Sequence, residues 1–315
     1  MHGGWVTSSS VSVTMATPVT YGTIVDRICR TGRQTVIQDH RVGAVVEFFD
    51  THPISERQIV DKLQRDGVDL DKVTEDVLQN YDQDHYGGVA ANDAIAALAE
   101  IDASCHVLDV CCGMGGPPRY LAHNYGCRVT GIDLTESRIE GAKRLTTMAG
   151  LDAQVTFQCA DALDMPFGDR AFDVLISQEA FCHIPNKNRL VAQCMRVLKP
   201  GGRMAFTDIL MTERTSEATR ERLRHDMAMH ELGSRESYCR ALEREGCMIV
   251  EAQDLSDEWR TILDDRLAMY RGLKDQTVER FGEAHFAKWD SAYSFFVGLY
   301  HTGELGGGRF LAQRR

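Results

Sequence analysis

The residues with the clearest chemistry are Val107-Leu108-Asp109-Val110-Cys111-Cys112-Gly113-Met114-Gly115-Gly116. An apolar run enters a glycine-rich turn and then a helical pattern. Glycines there let the backbone approach a ligand, and the helix N-terminus offers free N–H groups. The next apolar run ends at Asp133, 18 residues after Gly115. A carboxylate at the tip of a second strand can take both hydroxyls of a ribose. A third run leads into Ala160-Asp161-Ala162, where an acid can accept a hydrogen bond from an adenine amino group. Asp109 puts negative charge at the turn. That opposes a pyrophosphate and suits a cationic ligand, or an ammonium group held through ordered water.

A dinucleotide site fails on the same residues. It needs Gly-x-Gly-x-x-Gly, and counting from Gly113 and Gly115 the third position is Pro118. Pro117 and Pro118 also remove two donors that a pyrophosphate would use.

The flanking elements must position this chemistry. Helix-like 91–99 precedes a strand over 105–110, followed by a helix at 119–124 and a strand at 127–132. A helix at 136–148, strands at 155–159 and 172–177, a helix at 189–198 and a strand at 203–208 complete the alternation. Strands alternating with helices predict a parallel sheet covered on both faces. Lys199-Pro200-Gly201-Gly202 reads as a turn. Beyond it the spacing predicts helices over 217–230 and 237–245, a strand over 248–252, and long helices over 258–274 and 277–300. A last strand over 309–313 follows a Gly306-Gly307-Gly308 turn. Upstream, Ile24, Val25 and Ile28, then Val42, Val45, Val46 and Phe49, recur at helical spacing, and Ser55 reads as a cap before Ile59 and Leu63. The expected organisation is a flexible tail over 1–20, a helical segment or lid over 21–84, a cofactor-binding core over 85–212, and a helical cap with the last two strands over 213–315.

Composition narrows the class. The 315 residues carry a net charge of −11, with 43% hydrophobic and 26% charged residues, ordinary for a folded domain. The acidic balance opposes nucleic-acid binding, and no apolar run approaches a membrane span. The first 20 residues hold no Lys or Arg, unlike a secretory leader. Ten cysteines include no Cys-x-x-Cys pair, so they are expected as reduced core residues of a cytoplasmic protein, with no metal.

Val-Leu-Asp-Val-Cys-Cys-Gly-Met-Gly-Gly, Gly-Ile-Asp-Leu-Thr, Cys-Ala-Asp-Ala and Arg-Val-Leu-Lys-Pro-Gly-Gly, in that order, resemble the successive motifs of the class I S-adenosylmethionine-dependent methyltransferases. The resemblance covers about 85–212. It implies an α/β, Rossmann-like sheet, mostly parallel with an antiparallel last strand, carrying an N-terminal helical segment and a helical cap insertion. It implies S-adenosylmethionine as cofactor, leaving as S-adenosylhomocysteine. Asp109, Gly113 and Gly115 would line its methionine part, Asp133 with Leu134 its ribose, and Asp161 with Ala162 its adenine, with Gln178 alongside. Cys111 stands where the family often has Gly. Ile176-Ser177-Gln178-Glu179-Ala180-Phe181-Cys182-His183-Ile184 is similar to the fourth-strand motif of sarcosine/dimethylglycine and phosphoethanolamine N-methyltransferases.

The implied activity is methyl transfer to a small-molecule nucleophile, foremost an amine. An amine must be neutral to attack, and His183, just past the fourth strand, is the candidate base or orienter. Tyr81 and Tyr86 would close over the acceptor, where aromatic faces hold methylated ammonium groups, and Arg271 would pair an acceptor carboxylate or phosphate. The charges in Glu217–Cys239 favour a small polar acceptor. The alternatives are C-, O- or S-methylation of an isoprenoid, quinol or thiol, and a catalytically inactive cofactor-fold protein. The acceptor is the expected partner, without nucleic acid or membrane, and a homo-oligomer is compatible with the sequence.

Overall fold

The computed structural model describes residues 35–50, 52 and 54–315. The readings on residues 1–34, including the tail and the Ile24–Ile28 pattern, lie outside the described residues. The chain divides into two units, 1–42 and 43–315. Helix α1 (Thr35–Asp50) runs across their boundary.

The second unit is built on seven strands: β1 (His106–Val110), β2 (Arg128–Asp133), β3 (Val155–Cys159), β4 (Phe172–Gln178), β5 (Leu198–Met211), β6 (Met248–Asp254) and β7 (Leu305–Gln313). Their order is β3-β2-β1-β4-β5-β7-β6. β1 to β5 are parallel, and β7 inserts antiparallel between β5 and β6. The order reverses between β1 and β4, so their carboxyl ends open a crevice of the kind where ligands bind in such sheets.

The period-two alternation of the strands sends side chains to two cores. Leu108, Val110, Leu175, Phe206 and Phe310 share one. Val107, Val129, Ile176 and Ala205 share the other. Each such Leu or Phe stabilises the fold by about 1.5–3 kcal/mol through its burial.

Helices α2 (Glu56–Arg65), α3 (Glu75–Leu78), α4 (Gly88–Ala99), α5 (Gly116–Tyr125), α6 (Glu136–Met148) and α7 (Lys187–Val197) lie along the chain up to β5. α8 (Glu217–Met227) and α9 (Arg235–Arg244) follow it. α10 (Ser256–Gly272), α11 (Lys274–Phe281) and α12 (Glu283–Thr302) complete the cap. Among the described residues no helix is long and apolar enough to cross a membrane.

Four expectations differ from the structure. Ser55 stands at the N-cap of α2, but its side chain makes no capping bond. Lys199–Gly202 is part of β5, as an irregular stretch: the β4 register jumps from Phe172↔Leu198 to Val174↔Arg203. The single helix expected over 277–300 breaks at Gly282, whose φ of 87° a helix cannot continue. Gly306–Gly308 is strand, not turn. A Cβ on Gly307 would sit 2.3 Å from the Trp259 ring, so glycine here serves the close approach of α10.

Candidate active site

The glycine turn leaves β1 through Cys111, whose φ is +66°, and continues with Gly113 at +53° and Gly115 at +78°. Left-handed backbone is ordinary for glycine and strained for cysteine. That is the conformational reason a glycine would suit position 111. Pro117 and Pro118 begin α5, where the missing donors cost nothing to the helix. A Cβ on Gly115 would lie 2.6 Å from the Phe157 ring, so the turn is pressed onto β3.

Asp133, at the end of β2, accepts from the N–H of Gly113 at 3.1 Å and of Thr135 at 2.9 Å. One carboxylate thereby fixes the turn and faces the same crevice. Asp161 accepts from the Leu163 N–H at 2.8 Å, and Ala162 beside it is buried. Asp109 is buried, and desolvation, helped by the Asp133 charge, pushes its carboxyl up to about 8. A cation in the crevice would reverse that penalty.

Gln178 ends β4. Its Nε2 donates to Asn92 Oδ1 at 2.9 Å, and Asn92 Nδ2 donates to Gln83 Oε1 at 2.8 Å. Gln178 Oε1 is buried without a hydrogen-bond partner. Such an acceptor is costly unless a ligand donor satisfies it. The buried carboxylate, the left-handed glycines and this orphan acceptor together fit a nucleoside carrying a cationic amino-acid tail.

A strap over residues 80–87 closes the crevice from the N-terminal side. Buried Arg119 anchors it. Its Nη2 donates to Asp82 at 2.7 Å and to the Met114 carbonyl at 2.8 Å, while Nη1 reaches Thr146 at 3.1 Å. Glu75 lies 3.5 Å from its Nε, and burial pushes the Glu75 carboxyl upward against the pull of the Arg119 charge. Further along, the Tyr86 N–H donates to Glu179 at 2.7 Å, and the Thr207 hydroxyl donates to the other oxygen of that carboxylate at 2.6 Å. Glu179 thus clamps strap to sheet. Its φ is +47°, and burial raises its carboxyl to about 7.

His183 sits in a single 3₁₀ turn (Phe181–His183) after β4. That turn is held rigidly. The Cys182 N–H donates to buried Asp208 at 3.0 Å, and the Tyr238 hydroxyl donates to the same carboxylate at 2.5 Å. The Lys187 ammonium donates to the carbonyls of Phe181, Ile184 and Glu231. His183 Nδ1 lies 3.1 Å from the Ala228 carbonyl. A carbonyl only accepts, so Nδ1 carries the proton and Nε2 keeps its lone pair. Burial, more than any neighbouring charge, lowers the His183 pKa to about 4, so the ring is neutral at physiological pH.

Aromatic rings surround this turn. Phe49 is 5.1 Å from His183, and Phe48 is 5.3 Å from Trp289. His52 joins Phe48 and Trp289 and is itself held near a pKa of 4 by burial. Tyr86 packs edge-on against Trp259 at 5.0 Å, with the Arg266 guanidinium over its ring. Arg138 lies over Phe49 and 3.5 Å from Asp84, beside Gly113.

The structure therefore brings Asp109, Gly113, Gly115, Asp133, Leu134, Asp161, Ala162 and Gln178 to the carboxyl ends of β1 to β4, with His183 and Tyr86 beside them. It does not bring Tyr81 or Arg271 there. The Tyr81 hydroxyl donates to Asp66 at 3.0 Å beneath Lys62. Arg271 is half-exposed and engaged by Asp290 and Ser294. Sequence reasoning missed Glu179, Asn92, Phe48, Phe49 and Trp289. Glu179 alone had a legible signal, as an acid directly following a buried strand.

Comparison with known proteins agrees with this geometry. A methyltransferase-domain family model matches residues 108–206. A 27-O-demethylrifamycin SV methyltransferase of Amycolatopsis mediterranei (strain S699) is 31% identical over 197 residues, covering 62% of this chain and 72% of that protein. A glycine/sarcosine/dimethylglycine N-methyltransferase of Actinopolyspora halophila is 28% identical over 214 residues, 68% of this chain and 38% of that protein. The fold matches phosphoethanolamine N-methyltransferase 2 of Haemonchus contortus, solved with phosphomonomethylethanolamine and S-adenosylhomocysteine. The TM-score is 0.69 at 20% identity, over 86% of this chain and 60% of that one. The chain belongs to the class I S-adenosylmethionine-dependent methyltransferases and is an enzyme of small-molecule methylation.

Proposed function

We propose that this enzyme methylates an amine nitrogen on a small molecule with an apolar body. The observation that carries this reading is a neutral His183, its Nε2 lone pair retained, set among Phe48, Phe49 and Trp289.

Asp109 and the glycine turn would hold the amino-acid part of the cofactor, with Gln178 Oε1 accepting from it. Asp133 with Leu134 would hold the ribose, and Asp161 with Ala162 the adenine. S-adenosylmethionine supplies a methyl group already activated on a sulfonium. The protein's remaining tasks are to position the acceptor in line and exclude water. The strap and the aromatic rings do both. Desolvation among those rings favours the neutral amine. His183 Nε2, its lone pair free, would accept a hydrogen bond from the acceptor N–H and orient the nitrogen lone pair towards the methyl group, the proton released on methylation passing to solvent. The rings then face a neutral, more highly methylated nitrogen, whose added methyl group packs against their apolar faces.

Of the charged stretch that suggested a small polar acceptor, Arg220 and Arg224 line a cleft that none of Asp109, Asp133, Asp161, Glu179 or His183 lines. The same aromatic wall supports a second reading, O-methylation of a hydroxyl on a larger apolar acceptor, as the name of the rifamycin-modifying relative suggests for that protein.

The test offers methyl-labelled S-adenosylmethionine with pooled amines and pooled alcohols, using the wild type and His183→Gln. The proposal expects label in the amine pool. It also expects kcat to fall about 100-fold in the variant, with cofactor affinity unchanged. Transfer only into the alcohol pool would replace the amine reading with the second one. Undiminished kcat in His183→Gln would remove His183 from the chemistry.

A further inference from the structure

A cleft of about 520 Å³ lies between the start of α7, helix α8 and helix α9. Arg220 and Arg224 of α8 and Arg240 and Arg244 of α9 line it. None of Asp109, Asp133, Asp161, Glu179 or His183 does.

The arginines are spaced against the stability of their own helices. Each pair stands at i and i+4, where like charges repel. Helix dipoles account for Arg224 and Arg244, which lie in last turns. Arg220 and Arg240, one turn earlier, each follow an acid of their own helix, Glu217 and Glu236. The acids nearby leave a positive surplus. Glu217 pairs with Arg220. The Glu231 carboxylate accepts the N–H groups of Asn186 and Lys187 at the start of α7. Arg244 donates to neutral Asn188, the charge of Arg240 acts on Glu236 four residues before it, and Arg224 has no ion pair within 4 Å among the described residues. In a chain of net charge −11, the cleft is lined by four arginines against two glutamates, Glu217 and Glu231.

We propose that the cleft binds a small polyanion of the diphosphate or phosphate-ester class. Planar guanidinium groups on two facing helices match the bidentate geometry of phosphate oxygens. The volume exceeds that of one phosphate and suits a phosphorylated small molecule. The floor of the cleft includes Met229, Glu231 and Leu232. That segment begins at Ala228, whose carbonyl holds His183 Nδ1, and the Glu231 N–H donates to the Cys182 carbonyl at 3.2 Å. An anion seated there rests on the backbone that fixes the His183 turn.

Titration calorimetry of the full chain with pyrophosphate, and separately with inorganic phosphate, tests this. Saturable one-to-one pyrophosphate binding is expected, stronger than phosphate binding. It weakens at least tenfold in the Arg224→Gln, Arg240→Gln double variant, while S-adenosylmethionine affinity stays at the wild-type value and reports an intact fold. Absent pyrophosphate binding overturns the proposal. So does equal weakening by a control pair, Arg57→Gln with Arg128→Gln, because it would mean general charge attraction. Binding of a polyglutamate peptide without pyrophosphate binding also overturns it, in favour of an acidic protein partner.

Discussion

The two sides of the crevice are built differently. The cofactor side consists of strand ends, a glycine turn and acids 24 to 28 residues apart in sequence (Asp109, Asp133, Asp161), of which Asp133 and Asp161 are fixed by backbone N–H groups. The acceptor side gathers Phe49, Tyr86, His183, Trp259 and Trp289 from across the chain, held by ring packing. A ligand common to a whole family can be met by local backbone. An acceptor that differs between enzymes is met by side chains on elements free to vary.

Arg119 joins the strap to the glycine turn, so its loss should have the largest effect. Arg119→Ala leaves Asp82 and Glu75 buried without their cation and frees the strap from the Met114 carbonyl. Removing one partner of a buried pair typically costs about 3–5 kcal/mol. The denaturation midpoint should fall accordingly. A loss below about 1 kcal/mol would show that strap and turn hold themselves in place independently.

Next in size is Asp133→Ala. Two hydrogen bonds to a charged group, worth about 1.5–3 kcal/mol each, should cost roughly 100-fold or more in cofactor affinity by calorimetry. Phe49→Ala, on the acceptor side, should leave that affinity within about threefold. Equal losses in both variants would mean that the two sides bind as one unit.

The contrast also explains what could be read in advance. The Gly113–Gly116 turn, Asp133 and Asp161 follow a spacing that backbone geometry imposes, so sequence alone places them. His183 was legible because it lies just beyond β4, in the short turn that follows it. Phe48, Phe49 and Trp289 were not, because nothing local distinguishes an aromatic facing an acceptor from one in a core. Arg271 and Tyr81 show the converse: suitable residue types on the right elements, but spent on Asp290 and Asp66. The glycines of 306–308 misled for a related reason. The small size of Gly307 answers to Trp259, 48 residues away in sequence, and that of Gly306 and Gly308 to Ser256 and Leu210.

A moderate effect is expected from pH on the cofactor side. The Asp109 carboxyl is raised to about 8 in the folded protein. Its contribution to stability is therefore greatest below the ordinary carboxylate range and is lost as pH rises towards 8. Cationic ligand favours the ionised form, so S-adenosylmethionine affinity should improve roughly tenfold or more from pH 6 to pH 8. Asp109→Asn should flatten that dependence. A flat profile in the wild type would mean that Asp109 does not face the cationic part of the cofactor.

The smallest effect separates two adjacent cysteines. Cys111 has a φ of +66°, a conformation costing roughly 1–2 kcal/mol for a residue with a Cβ. Cys112 does not share it, and its side chain packs directly on Gly131, where an added Cβ would lie 2.8 Å from the sulfur. Cys111→Gly relieves strain, loses a partly buried thiol and adds freedom to the unfolded chain, so stability should change by less than about 1 kcal/mol. Cys112→Gly relieves nothing and empties a buried position, and should cost about 1–3 kcal/mol. Thermal unfolding of the two variants side by side distinguishes them. Equal losses would show that the turn tolerates left-handed cysteine without strain. A neutral Cys111→Gly beside a damaged Cys112→Gly would confirm that backbone conformation governs the first position and packing the second.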